Sequence, residues 1–106
     1  MLSIKIKDIT FNSPIIAASG TFGYGHEVKD IVNLNKIGCI ITKSITFESR
    51  EGNPQPRIHE SSSGMLNAVG LANVGVNKFC SDKLPKLDNL ETNVIISIAG
   101  SSIEEY

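Results

Sequence analysis

Three short apolar runs constrain this chain more than any other feature: PIIAA at 14–18, CIIT at 39–42 and NVIISI at 93–98. Their near-continuous hydrophobicity fits strands buried on both faces of a parallel sheet. Helical patterns separate them. In residues 26–34, Val28, Ile31, Val32 and Leu34 have the spacing of an amphipathic helix, with Gly38 beyond its C-terminus. A second helix is predicted over residues 76–84, ended by Pro85. A third begins near Ser101 or Ser102, either of which would cap it, with Glu104 and Glu105 in its first turn and Tyr106 closing the chain. Ahead of the first run, Ile4, Ile6 and residues 9–11 predict a β-hairpin turning near Lys7 and Asp8. Hairpin, β, α, β, long loop, α, β and a helix start form an α/β chain with right-handed βαβ units. An open sheet of three parallel strands leaves much apolar surface uncovered. Residues 1–106 are therefore expected to form a single partial domain, the first part of something larger.

Charge and composition exclude several function classes. A formal net charge of -1 gives no electrostatic reason to expect nucleic acid or an anionic membrane as partner. The chain has no Trp and no stripe of Lys and Arg on which bases would stack. The N-terminal MLSIKIKDITF alternates apolar and charged residues, unlike a secretory segment, and no run approaches membrane-spanning length. Cys39 falls inside a strand and Cys80 beside Phe79 on a helix, so both are expected to be structural. His26 and His59 stand apart from other metal-ligand types. A cytoplasmic protein is the expectation.

In α/β proteins, ligands sit beyond the C-terminal ends of parallel strands. The three ends here offer Ser19 and Gly20, then Lys43 and Ser44, then Ser97 with Ala99 and Gly100. Lys43 is the only cation among them. It suits an anionic or electron-rich group, and spacing alone equally fits a lysine snorkelling into solvent. For Ser19 and Ser97 ordinary turn chemistry is the favoured reading. The glycines at 20, 23 and 25 match neither a dinucleotide fingerprint nor a P-loop, so a flexible βα turn is expected. Residues 43–73 form a long loop rich in Gly, Pro, Ser and charge, a length that is usually functional or disordered. Near its end, Asn67 and Asn73 supply amides able to donate and accept toward a planar ligand, or simply to satisfy loop backbone.

In combination, ASGTFGYG, TKSIT, REGNPQPR, SGMLNAVGLAN and IAGSS resemble the N-terminal part of the dihydroorotate dehydrogenase family, in order and across essentially the whole chain. The form SGMLNAVGL resembles the bacterial NAD-dependent type. The resemblance implies the N-terminal portion of a TIM (β/α)8 barrel with FMN at the strand ends. The activity implied is oxidation of dihydroorotate to orotate in pyrimidine biosynthesis. The flavin contacts implied are Ser19, Lys43, Ser44 and Ser97; the substrate contacts are Lys43, Asn67, Ala68, Val69, Gly70 and Leu71. At Ser97 the family usually has asparagine, and after Asn73 this chain has Val74 where proline is common. Members of the NAD type work with a second subunit carrying FAD and an iron–sulfur cluster, in homo- or hetero-oligomers. A full barrel needs about 250 residues, and the family's catalytic cysteine has no counterpart in Cys39 or Cys80. No catalytic residue is therefore assigned within the chain: the base is expected beyond Tyr106, and the 106 residues are expected to be inactive alone. Two other readings are a related FMN-dependent pyrimidine reductase of the dihydropyrimidine dehydrogenase kind, and a non-catalytic remnant serving as an interaction module.

Overall fold

A computed structural model describes residues 2–106. Strands β1 (Ile4–Ile6) and β2 (Ile9–Phe11) form the expected antiparallel hairpin, with Lys7 at its turn in the left-handed region, φ 51°. Ile4 pairs with Phe11 and Ile6 with Ile9, so the apolar side chains share one face while Lys5 and Thr10 take the other. Side-chain bonds tie the hairpin to the sheet. Asn93 Nδ2 donates to the Thr10 carbonyl at 2.7 Å.

The sheet is parallel. Its strands are β3 (Ile16–Ala17), β4 (Cys39–Ile41) and β7 (Asn93–Ile95), ordered β3-β4-β7, with Ile16 beside Cys39 and Cys39 beside Asn93. All three apolar runs become strands, and the central one is the best enclosed, with Ile41 half-buried at its end. Cys39 and Ile40 are inaccessible to solvent, whereas Ile15, Ile16, Ile95, Ile96 and Ile98 on the flanking runs stay exposed. The expected burial on both faces fails there because no packed layer covers those isoleucines, which stay in solvent.

Gly38 shows how tightly β3 and β4 approach at their base. A Cβ at this position would lie 1.8 Å from the Ser13 carbonyl oxygen, and the Gly38 N–H donates to Ile15 O at 2.8 Å.

The core lies where β4 meets the chain that follows the long loop. Tyr24, Ile45, Phe79 and Leu87 form its buried centre, with Val74, Val76, Leu84, Leu90 and Val94 packed around them. The Tyr24 and Phe79 rings sit 5.8 Å apart and tilted, and Tyr24 Oη accepts from the Val74 N–H.

The helices depart from expectation. Residues 26–34 form no α-helix; 3-10 turns at His26–Val28 and Leu34–Lys36 stand in its place. Gly25 enters with φ 108° and no capping side chain, and Asn33 is extended with its side-chain carbonyl accepting from Asn35 N–H. Asparagine thereby satisfies the backbone locally and competes with the helix. Ile31, on the expected apolar stripe, is 85 % exposed.

The second helix begins as α1 (Gly75–Lys78), widens into a π turn at Phe79–Lys83 and tightens into a 3-10 turn at Leu84–Lys86. Pro85 has no N–H to bond back to the preceding turn, and the change of pitch accommodates it. Phe79 takes the inward position. Cys80 turns outward and is exposed, not structural as expected.

At the C-terminal end only a 3-10 turn, Ile103–Glu105, forms, and Ser102 makes no capping bond. Its neighbour Ser101 is used otherwise: its N–H donates to Glu105 Oε2 and its hydroxyl accepts from Arg50. Tyr106 ends the turn, its N–H donating to Ile103 O at 3.2 Å and its ring folded back over Gly100.

Candidate functional site

The long loop is ordered by its own hydrogen bonds. Arg50 and Asn73 exchange backbone N–H···O bonds of 2.9 and 2.8 Å, closing the loop at its base. Asn73 is the fastening. Its Oδ1 accepts from the N–H groups of Thr46 and Gly75, while Nδ2 donates to Thr46 Oγ1 and to Leu71 O. Of the two candidate asparagines, this one satisfies loop backbone.

The far part of the loop holds a second hairpin that the sequence pattern does not announce, β5 (Ile58–Ser61) paired with β6 (Gly64–Asn67). Its base is clamped by Arg57, whose guanidinium donates to Asn53 O at 2.6 Å and Glu51 O at 2.7 Å. Asn53 in turn binds the chain just beyond the hairpin, donating from Nδ2 to Ala68 O and from its backbone to Val69 O. Gly70 and Leu71 follow with φ 76° and 56°. A leucine in the left-handed region is uncommon, and Asn73 Nδ2 on the Leu71 carbonyl helps hold it.

These constraints bring three separated segments around one open cavity of about 580 Å³. Ser19 and Gly20 line it from the end of β3, and Lys43 and Ser44 from the end of β4. Asn67, Val69, Gly70 and Leu71 line it from the loop. Ala68 is not on this wall; its N–H and C=O face the Arg57–Asn53 clamp. Ser97 is not on it either, but its Oγ lies 2.7 Å from that of Ser44. Tyr106, the residue beyond which the base is expected, is also absent from the wall. Its side chain is exposed and lines a separate recess with Ile45, Phe47, Val76 and Ile98. It therefore contributes no phenol to the cavity. Gly23 and Ile58 line the cavity without having been singled out. Ile58 belongs to the unanticipated hairpin, where it pairs with Asn67. The available signal was the turn-forming SSSG at 61–64 alone, with no alternation in the residues flanking it.

The wall chemistry is specific. Lys43 is half-buried and, among the described residues, has no ion pair; its backbone N–H is fixed on Gly23 O at 2.7 Å. The Asn67 amide likewise has no side-chain partner among the described residues, so its donors and acceptor are free for a ligand. A Cβ at Gly20, φ 82°, would meet nothing within 4 Å, so open space lies against the backbone there. One cation, two hydroxyls, one free amide and close-approaching backbone suit a flat heterocycle with amide-like edges. No group of three or more His, Cys, Asp or Glu able to hold a metal occurs among the described residues.

A family model described as dihydroorotate dehydrogenase matches residues 1–106. The chain belongs to the dihydroorotate dehydrogenase family. It is 50% identical over 105 residues to the dihydroorotate dehydrogenase B (NAD(+)) catalytic subunit of Geotalea daltonii, covering 99% of this chain and 34% of the relative. Against the subunit of that name from Bacteroides thetaiotaomicron the identity is 48%, over 99% of this chain and 35% of the relative. The chain thus spans about a third of the length of these relatives. Among solved structures, DHODH of Eimeria tenella in complex with ferulenol superposes with a TM-score of 0.65 at 26% identity, covering 93% of this chain and 28% of that one. No helix among the described residues is long and apolar enough to cross a membrane.

Proposed function

We propose that this chain is the first third of an FMN-dependent dihydroorotate dehydrogenase, with residues 1–106 forming three strands and the N-terminal hairpin of a TIM barrel. The observation that carries the proposal is the meeting of Lys43, Ser44 and Ser19 with Asn67, Val69, Gly70 and Leu71 around one cavity. The residues present fit FMN in part. Hydroxyls, backbone and Lys43 suit the edge of its ring system, while the cradle for its phosphate is assigned to later strands, as is usual in such barrels.

FMN, when bound, supplies the acceptor for the hydride that leaves dihydroorotate as the ring C–C bond becomes the double bond of orotate. The Lys43 ammonium stabilises negative charge that develops beside it, a service that costs little reorganisation because the strand end is already fixed. The Asn67 amide, with the backbone of residues 69–71, holds the pyrimidine edge through paired donors and acceptors. The remaining hydrogen leaves as a proton to a base. Cys39 is unsuited to that task, since it is enclosed in β4 and burial pushes its thiol pKa up. Tyr106 is unsuited because it faces another surface. The base belongs to the other two-thirds of the enzyme.

Ala68 and Ser97 stay in the proposal as supports of the two walls. The enzyme acts as a cytoplasmic, NAD-linked catalytic subunit beside an electron-transfer subunit carrying FAD and an iron–sulfur cluster. The test is to mix this chain with the complementary two-thirds of the Geotalea daltonii relative and follow orotate formation with FMN present. Activity should appear only in the mixture and fall at least about 100-fold with Lys43→Ala. Full activity of the Lys43→Ala mixture would remove the lysine from the site, and orotate formation by the 106 residues alone would overturn the division of labour.

A further inference from the structure

The strand end that carries Lys43 is fastened to its neighbour by backbone bonds from Thr42 N–H to Ile95 O and from Ala99 N–H to Ile45 O, both 2.9 Å, and by three contacts that converge on Ser97. The ladder between β4 and β7 ends where Ile41 pairs with Ile95. Beyond it, the Ser97 N–H donates to Thr42 Oγ1 at 3.2 Å and the Ser97 carbonyl accepts from Ile45 N–H at 3.0 Å. The third contact is between hydroxyls, Ser97 Oγ to Ser44 Oγ at 2.7 Å. These bonds bracket Lys43, touching the residue before it and the two after it.

Ser44 lines the cavity and Ser97 does not. A hydroxyl carries one proton and two lone pairs. If Ser97 donates, the Ser44 O–H is free to point into the cavity. If Ser44 donates, it presents only a lone pair there. In both cases the partner at 97 fixes a rotor that would otherwise sample three staggered wells. Asparagine, which the resemblance places at this position, reaches one bond further than serine. The serine hydroxyl finds its partner at Ser44 instead.

We propose that Ser97 is a positioning residue: it acts on the ligand through Ser44, by fixing the direction of that hydroxyl, and makes no contact with the ligand itself. This rests on the flavin reading of the cavity, and it reassigns the role that the family pattern gives to position 97.

The test is a double-mutant cycle in this chain with Ser44→Ala, Ser97→Ala, both together, and Ser97→Thr. The probe is FMN, followed by amide chemical-shift titration, which reads weak binding. Each single alanine variant should weaken FMN binding about five-fold, the yield of one neutral hydrogen bond. The double variant should be no weaker than Ser44→Ala alone, and Ser97→Thr, which keeps the hydroxyl, should restore the affinity. Additive losses would mean that Ser97 touches the flavin directly, and no loss from Ser97→Ala would mean that it positions nothing. Either result overturns the proposal. Side-chain couplings of Ser44 without FMN give a second readout: one rotamer in the unsubstituted chain, averaging in Ser97→Ala. A single retained rotamer in Ser97→Ala overturns the proposal, whether or not FMN shifts any amide.

Discussion

Asn73 and Asn67 are the same residue type six positions apart, and the fold uses them oppositely. Asn73 is buried and spends its amide on four protein groups, whereas Asn67 keeps its amide free on the cavity wall. Removing the first should therefore unfold the loop, and removing the second should cost only ligand. Asn73→Ala leaves the Thr46 and Gly75 N–H groups without their partner and is expected to destabilise the chain by about 2–4 kcal/mol in urea titration. An unchanged midpoint would mean that the loop does not depend on this amide.

His26 makes the opposite kind of prediction, one about pH. Its Nδ1 is buried without a hydrogen bond, 3.4 Å from Glu27 Oε2. Burial pushes its pKa below the ordinary 6.5; Glu27 opposes the shift, and Lys83, Lys86 and Lys29 reinforce it. The unfolded chain therefore takes up this proton first as pH falls. Stability from the neutral imidazole is complete above 6.5 and is lost as pH drops from there through the lower folded pKa. Unfolding midpoints between about pH 8 and 5 should show this decline, and His26→Gln should flatten that part of the curve.

At the scale of elements, what was legible in the sequence followed from local pattern. Alternation announced the β1–β2 hairpin, and continuous apolar runs announced the parallel strands, because strand periodicity depends only on neighbouring residues. The expected helix at 26–34 failed although part of its stripe packs: Leu34 is buried and Val28 and Val32 are half-buried, but Ile31 stays in solvent and Asn33 caps its own turn through Asn35 N–H, breaking the run in two. The hairpin β5–β6 was hidden inside a loop rich in turn residues, and no buried face marks it, since all eight of its residues are exposed. It is held instead by polar bonds at its base, from Asn53 across to Ala68 and from Arg57 back to the carbonyls of Asn53 and Glu51.

Close approach between elements gives a further prediction. Gly38→Ala puts a methyl group into the Ser13 carbonyl, 1.8 Å away. Overpacking of this kind should cost about 1–3 kcal/mol and raise hydrogen exchange at the β3–β4 ladder, starting with the Gly38 amide. Exchange rates equal to those of the unsubstituted chain would show that the two segments part without cost.

For the molecule as a whole, the dominant fact is incompleteness of enclosure. β7 is an edge strand of the parallel sheet, and Ile95 with Ile96 and Ile98 just beyond it stay exposed, so its outer edge offers unpaired backbone groups. Such an edge pairs with whatever strand is offered. Sedimentation of the isolated 106 residues is expected to show concentration-dependent association. Addition of the complementary two-thirds of a relative should suppress it. A cleanly monomeric, cooperatively unfolding chain would contradict the partial-barrel picture.

The sequence by itself determined the family, the order of strands and the residue types at each strand end. Those depend on pattern and motif along the chain. Only the tertiary structure decided which of them share a surface. Lys43 and Asn67 are 24 positions apart, and what unites them is a loop folded back by Asn73, Arg57 and Asn53. Hydrogen bonds between distant segments have no periodicity for a sequence to display. For the same reason Ser97, a plain strand-end serine in the sequence, became a partner of Ser44 only once β7 lay beside β4.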